Sequence, residues 1–266
     1  MYRGFNLMSN SWNPGDKYYQ IGKTIFDEDK LIVKLRINEF IENDGAFNGS
    51  RMMSDWFPEI NADIFLSHSH RNEKFAITLA GYFKENLGIR IFIDSCVWGD
   101  SAQLLRKIDD NYCLNEGGKS YDYKKRNDST SHIHMMLATS LANMIDKTEA
   151  LFFLNTPESI TTSDVFNRTY SPWIYAEIVF SQLLHHKVPA RRTTRDKVLF
   201  SKHGVIQEDL KIKYDANLSH LNKIKLPEIA KWTIDSAKLN PLKNNLNSLD
   251  ILYEISPIKP LEQING

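Results

Sequence analysis

The segment 62–94 constrains the fold more than any other. Ala62-Asp63-Ile64-Phe65-Leu66-Ser67 is a short apolar run that ends in small polar residues. Asn72 stands where it could cap a helix, and Phe75, Ala76, Leu79, Ala80, Phe83 and Leu87 recur at three- and four-residue steps. Gly88 is placed to end that helix in the left-handed conformation. A second apolar run, Ile89-Arg90-Ile91-Phe92-Ile93-Asp94, follows at once. Strand, helix and strand at this length predict a right-handed crossover and a parallel sheet. Ligands of such sheets bind beyond the carboxyl ends of the strands. Chemistry is therefore expected at Ser67-His68-Ser69-His70 and from Asp94 to Ser101.

A third run, Ala150-Leu151-Phe152-Phe153-Leu154-Asn155, is apolar on both faces, as a central parallel strand must be. The loop 156–170 then brings a helix start to the same edge. Ser171 can cap that helix, and Pro172 suits its first position, where a missing N–H costs nothing. Trp173-Ile174-Tyr175-Ala176-Glu177-Ile178-Val179-Phe180-Ser181 is apolar almost all round, which predicts burial. Trp173, Glu177 and Ser181 share one face. An unpaired buried carboxylate is costly. Glu177 therefore either pairs with a cation lining the core or is an acid facing a cleft.

Around this centre the chain reads as three parts: an N-terminal extension over 1–60, a main domain over 61–240 and a C-terminal tail over 241–266. In the extension, Asp27 to Asn43 has helical spacing, with Leu31, Val33, Leu35, Ile37, Phe40 and Ile41 on its apolar face, though its early part alternates enough to admit a strand. Residues 102–108 start a helix that passes into a polar insert over 109–131, after which Ser131 could cap the next helix. Leu210 to Tyr214 reads as a strand, 226–239 as a helix with Pro227 at its start, and 242–255 as a last helix. One or two strands in this region should complete the sheet.

Lysine plus arginine and aspartate plus glutamate balance at 33 each, so no global charge favours nucleic acid or an anionic membrane. Cys96 and Cys113 are too few for a disulfide framework. No apolar run approaches the roughly 20 residues of a membrane span, and the first residues lack the apolar centre of a signal peptide. These features predict a soluble, cytoplasmic protein. His68-x-His70 has no acidic or cysteine partner at matching spacing, so no metal site is expected. His132-x-His134 and His185-His186 read as surface residues, and Arg191, Arg192 and Arg195 as a solvated basic loop. Ser67 lacks a His–Asp pairing in sequence and is a weak candidate nucleophile.

Four stretches in order, Asp63-Ile-Phe-Leu-Ser67-His68-Ser69, Phe92-Ile-Asp94, Gly99-Asp100-Ser101 and Ser171-Pro-Trp173 with Glu177, resemble the Toll/interleukin-1 receptor (TIR) domain family. The resemblance covers 61–186 well and 187–240 loosely. It implies a flavodoxin-like fold: a parallel sheet of about five strands with helices on both faces. The spacing Trp173-x-x-x-Glu177 resembles bacterial members that cleave the nicotinamide–ribose bond of NAD. On that likeness Glu177 is catalytic, and Ser67 and His68 line the nicotinamide side. Asp94, Trp98, Asp100 and Ser101 belong to a loop that closes over the nucleotide, and Trp173 can stack on a substrate ring. Taken from the residue types alone, Asp94 and Asp100 are as well suited to capping their turn, and Trp98 and Trp173 to core packing.

NAD would be a substrate, and no cofactor is implied. The resemblance also implies a homo-oligomer and, by analogy with the TIR component of Thoeris antiphage defence, a product read by a separate effector. Two departures stand out. Some catalytic members carry an arginine just after the first strand, where this chain has Ser-His-Ser-His with Arg71 one step later, and the 109–131 insert exceeds the usual link. Alternatives are a non-catalytic TIR interaction module and a nucleoside deoxyribosyltransferase-like enzyme.

Overall fold

A computed structural model of the chain describes residues 1–8, 12–33, 40–44, 46–99, 101–163, 166–184, 187–191, 214–239 and 247–257. In chain order it contains β1 (Arg3–Met8), α1 (Asp16–Lys30), α2 (Gly49–Trp56), β2 (Ile64–Ser67), α3 (Glu73–Leu87), β3 (Ile91–Phe92), α4 (Asp94–Val97), α5 (Ser101–Tyr112) and α6 (Tyr123–Lys147). There follow β4 (Ala150–Asn155), β5 (Thr161–Ser163), β6 (Phe166–Thr169), α7 (Pro172–Leu183), β7 (Tyr214–Asp215), β8 (Asn222–Ile224), α8 (Leu226–Ser236) and α9 (Ser248–Ile255). The chain forms two compact units: Met1–Lys23, Asn61–Phe92 and Ile145–Gly266 make the first, Thr24–Ile60 and Ile93–Met144 the second.

The first unit is built on a five-stranded parallel sheet in the order β3-β2-β4-β1-β8, flanked by helices and consistent with a flavodoxin-like fold. The register sets Leu66, Phe152 and Phe5 side by side on one face. There Phe83 of α3 and Trp232 of α8 meet Phe152 at 5.9 and 6.1 Å, and Tyr253 of α9 stacks on Phe5 at 6.2 Å. The next row, Ser67, Phe153 and Asn6, points to the opposite face, where α7 lies. A separate three-stranded antiparallel sheet joins β5, β6 and β7.

The N-terminal residues correct the sequence reading. Residues 1–60 do not stand apart as an extension: β1 occupies the fourth position of the sheet, paired along its whole length with β4. Gly4 and Asn6 break its apolar signature. Gly4 makes room for Leu221: a Cβ there would lie 2.3 Å from Leu221 Cδ2, so that side chain would have to shift. Farther on, α1 crosses α3 backbone to backbone: a Cβ on Gly22 would sit 2.1 Å from the Ile77 carbonyl oxygen, and one on Gly81 1.9 Å from that of Tyr18. The helix expected over 27–43 instead starts at Asp16 and ends at Lys30; Leu31 is exposed, and 34–39 lie outside the described residues. Nor is the C-terminal tail separate, since Leu249, Leu252 and Tyr253 of α9 are buried.

In the second unit Phe40 meets Trp56 edge-on at 5.6 Å, and Trp98 meets Phe57 at 5.5 Å. The insert over 109–131 is mostly helical, its ends absorbed into α5 and α6. Ser131 is therefore no cap but a mid-helix residue, its hydroxyl donating to the Asn127 carbonyl at 2.8 Å. Asp109 is buried and receives Arg126 Nε at 2.9 Å and Ser129 Oγ at 2.8 Å, which ties α5 to α6.

Candidate active site

The helix that carries Glu177 forms for the reasons legible in its sequence. Ser171 Oγ accepts the Ile174 N–H at 3.2 Å, Pro172 fills the first turn, and Ile174 and Ile178 are buried. This sets Glu177, only 3% exposed, on the sheet-facing side. Ser67, the last residue of β2 and 1% exposed, donates its hydroxyl to Glu177 Oε2 at 2.5 Å. The hydroxyl so fixes one oxygen of the buried carboxyl group. The structure thus joins a strand end and a helix acid at the carboxyl edge of the sheet.

Further polar links lie along α7 and after the ends of β2 and β4. One turn beyond Glu177, Ser181 donates to the Ile178 carbonyl at 2.7 Å, so its oxygen accepts from His220 Nε2 at 2.8 Å. His220 Nδ1 lies 3.2 Å from Gln182 Nε2, so the ring bridges Ser181 and Gln182. The loop after β4 is joined to the turn after β2, with Thr156 Oγ1 donating to Asn72 Oδ1 at 2.7 Å and Ser159 Oγ accepting the Thr156 N–H at 2.9 Å. Asn72 was expected to cap α3, yet it makes no side-chain cap, because its amide is engaged by Thr156. The carboxyl of the exposed Glu158 is held below its ordinary range by its own backbone N–H, then by Thr156. No sequence motif marks His220 or Thr156; only their fold neighbours do.

The other expected site residues fall as follows. His68 is buried, its ring 6.3 Å from that of the exposed His70. Trp173 is half-buried in the first turn of α7. In the second unit, Asp94 opens α4 and accepts the Trp98 N–H through its backbone carbonyl at 2.8 Å. Trp98 is 7% exposed, with its indole N–H donated to the Pro58 carbonyl at 3.0 Å, an arrangement of core packing. Ser101 is the first residue of α5, and Asp100 lies outside the described residues. The second strand is shorter than expected, with Asp94 in a helix rather than at its end.

His132 and His134 sit exposed on α6, and 185–186 and 210–213 lie outside the described residues. Arg191 is not solvated loop but ion-paired with Glu149 and with Asp250, whose Oδ2 is 2.5 Å from Arg191 Nε. Arg192 and Arg195 lie outside the described residues. Among the described residues no three His, Cys, Asp or Glu side chains are grouped to hold a metal ion, and no helix is long and apolar enough to cross a membrane. Comparison with family models, with curated proteins and with solved structures finds no match.

Proposed function

We propose that the Ser67–Glu177 pair is the reactive centre of a TIR-like enzyme that breaks the nicotinamide–ribose bond of NAD. The observation that carries this reading is the buried carboxylate at the carboxyl edge of a parallel sheet, held at 2.5 Å by a strand-end hydroxyl. Nicotinamide in NAD is already cationic, so it departs with the bonding electron pair as a neutral molecule and needs no strong general acid. Positive charge then develops at the ribose C1′ and ring oxygen. The Glu177 carboxylate stabilises that charge by electrostatic preorganisation, and Ser67 acts as a positioning residue that fixes one carboxylate oxygen. Water, or a nucleophile within the same molecule, adds to C1′ and releases its proton, giving ADP-ribose or a cyclic form. Such a product would serve as a signal to a separate effector in antiphage defence, with the enzyme acting as a homo-oligomer in the cytoplasm.

The test is nicotinamide release from NAD by the purified chain beside Glu177→Gln, with the product identified by mass. Release by the parent and loss in the variant supports the reading. Equal release by both places the acid elsewhere. If the parent leaves NAD intact but exchanges the base of a nucleoside, the deoxyribosyltransferase reading replaces this one. If neither substrate is consumed, including in cells challenged with phage, the chain is an interaction module.

A further inference from the structure

The second unit carries a half-open cavity of about 570 Å³ that shares no residue with the Ser67–Glu177 pair. Its volume lies within the roughly 300–1,000 Å³ typical of small-molecule sites. The walls divide by chemistry. Phe47, Met52, Ile108, Tyr112, Ile133 and Met136 make an apolar enclosure. Phe47 and Tyr112 meet edge-to-face at 4.9 Å and 84°, which gives one end a fixed aromatic shape. The two methionines, unbranched and polarizable, supply an adaptable surface for a flat ring. Gly49 leaves space open: a Cβ there would meet only the Met136 methyl, at 3.3 Å, so a longer side chain would enter the cavity.

The polar groups lie along one edge. Lys125, Asp128, Ser129 and His132 all come from α6, at the spacing of one helical stripe. Ser129 gives its proton to the buried Asp109 carboxylate and accepts from the Cys113 thiol at 3.9 Å, which leaves one lone pair of its oxygen for the cavity. Lys125, a donor, and Asp128, an acceptor, are exposed at the cavity's rim, and their formal charges are opposite. Mixed donors and acceptors without net charge match an uncharged edge better than an ionised one.

We propose that this cavity binds a planar, uncharged ring compound, apolar over its faces, with a hydrogen-bond donor and acceptor along one edge. The inference is independent of the reading of Glu177. The test uses the full chain labelled at the methionine ε-methyl groups and titrated with 2-naphthamide and, separately, 2-naphthoate, which share a ring but differ in charge. The expected result is saturable shifts of the Met52 and Met136 methyl signals, with the amide bound at least about tenfold more tightly than the carboxylate. Gly49→Leu and Met136→Trp, which fill the space from opposite sides, should each weaken amide binding by about tenfold or more, read at Met52 in the second case. Glu177→Gln should leave it unaltered.

Circular dichroism verifies that each filled variant is folded, and either one that folds decides the matter. No saturable shift, shifts centred on other methionines, tighter binding of the carboxylate, or binding indifferent to the filled variants would each overturn the proposal.

Discussion

Replacing Ser67 by alanine tests the energetics of the candidate centre without reference to its activity. The change removes one oxygen whose proton is donated to Glu177 Oε2 at 2.5 Å, between side chains 1% and 3% exposed. A hydrogen bond to a charged group contributes about 1.5–3 kcal/mol, and burial puts this one toward the upper end. At about 2–4 °C per kcal/mol for a domain of this size, Ser67→Ala should lower the melting temperature by roughly 3–12 °C. Calorimetry and urea titration would measure the loss. The same substitution in a Glu177→Ala background should cost less than about 0.5 kcal/mol, because the acceptor is gone, giving a coupling energy of about 1–3 kcal/mol. If Ser67→Ala melts with the parent, or costs the same in both backgrounds, the short contact is not an energetic unit and β2 does not hold the carboxylate.

Three further outcomes follow from other parts of the structure. Gly81→Ala would drive a methyl to 1.9 Å from the Tyr18 carbonyl oxygen, a backbone atom that cannot swing aside, so thermal melts should show a loss of about 2–3 kcal/mol; a variant as stable as the parent would deny the close crossing of α1 and α3. Cys96 and Cys113 are both buried, and burial pushes the Cys113 thiol up, so a thiol reagent at pH 8 should label neither rapidly in the native protein and both in urea. Burial, then the neighbouring Glu149 charge, raises the Tyr253 phenol well above its ordinary 10.0. The folded state keeps that proton while the unfolded chain releases it, so this stabilisation is complete below about pH 10 and is lost above it by about 1.4 kcal/mol per pH unit. Urea midpoints across that range should fall, and Tyr253→Phe should flatten the fall.

What the sequence determined by itself is what depends on near neighbours along the chain. The strands 64–67 and 150–155, the helix that ends at the left-handed Gly88, and the start of α7 at Ser171 and Pro172 all stand where alternation, helical spacing and capping put them. An acid on an apolar helix singled out Glu177 for the same local reason. Tertiary structure alone decided the rest. Ser67 and Glu177 are 110 residues apart, and their contact follows from the sheet order rather than from any spacing. The strand Arg3–Met8 was illegible because Gly4 answers to Leu221 and the strand itself to β4, both distant in sequence. Asn72 and Ser131 had the residue type of helix caps, but Thr156 claimed the first and continuation of α6 enclosed the second. Local signals fix elements because their partners lie within a few residues; pairing order, and with it the environment of each polar side chain, is set by contacts that the chain makes only when it closes on itself.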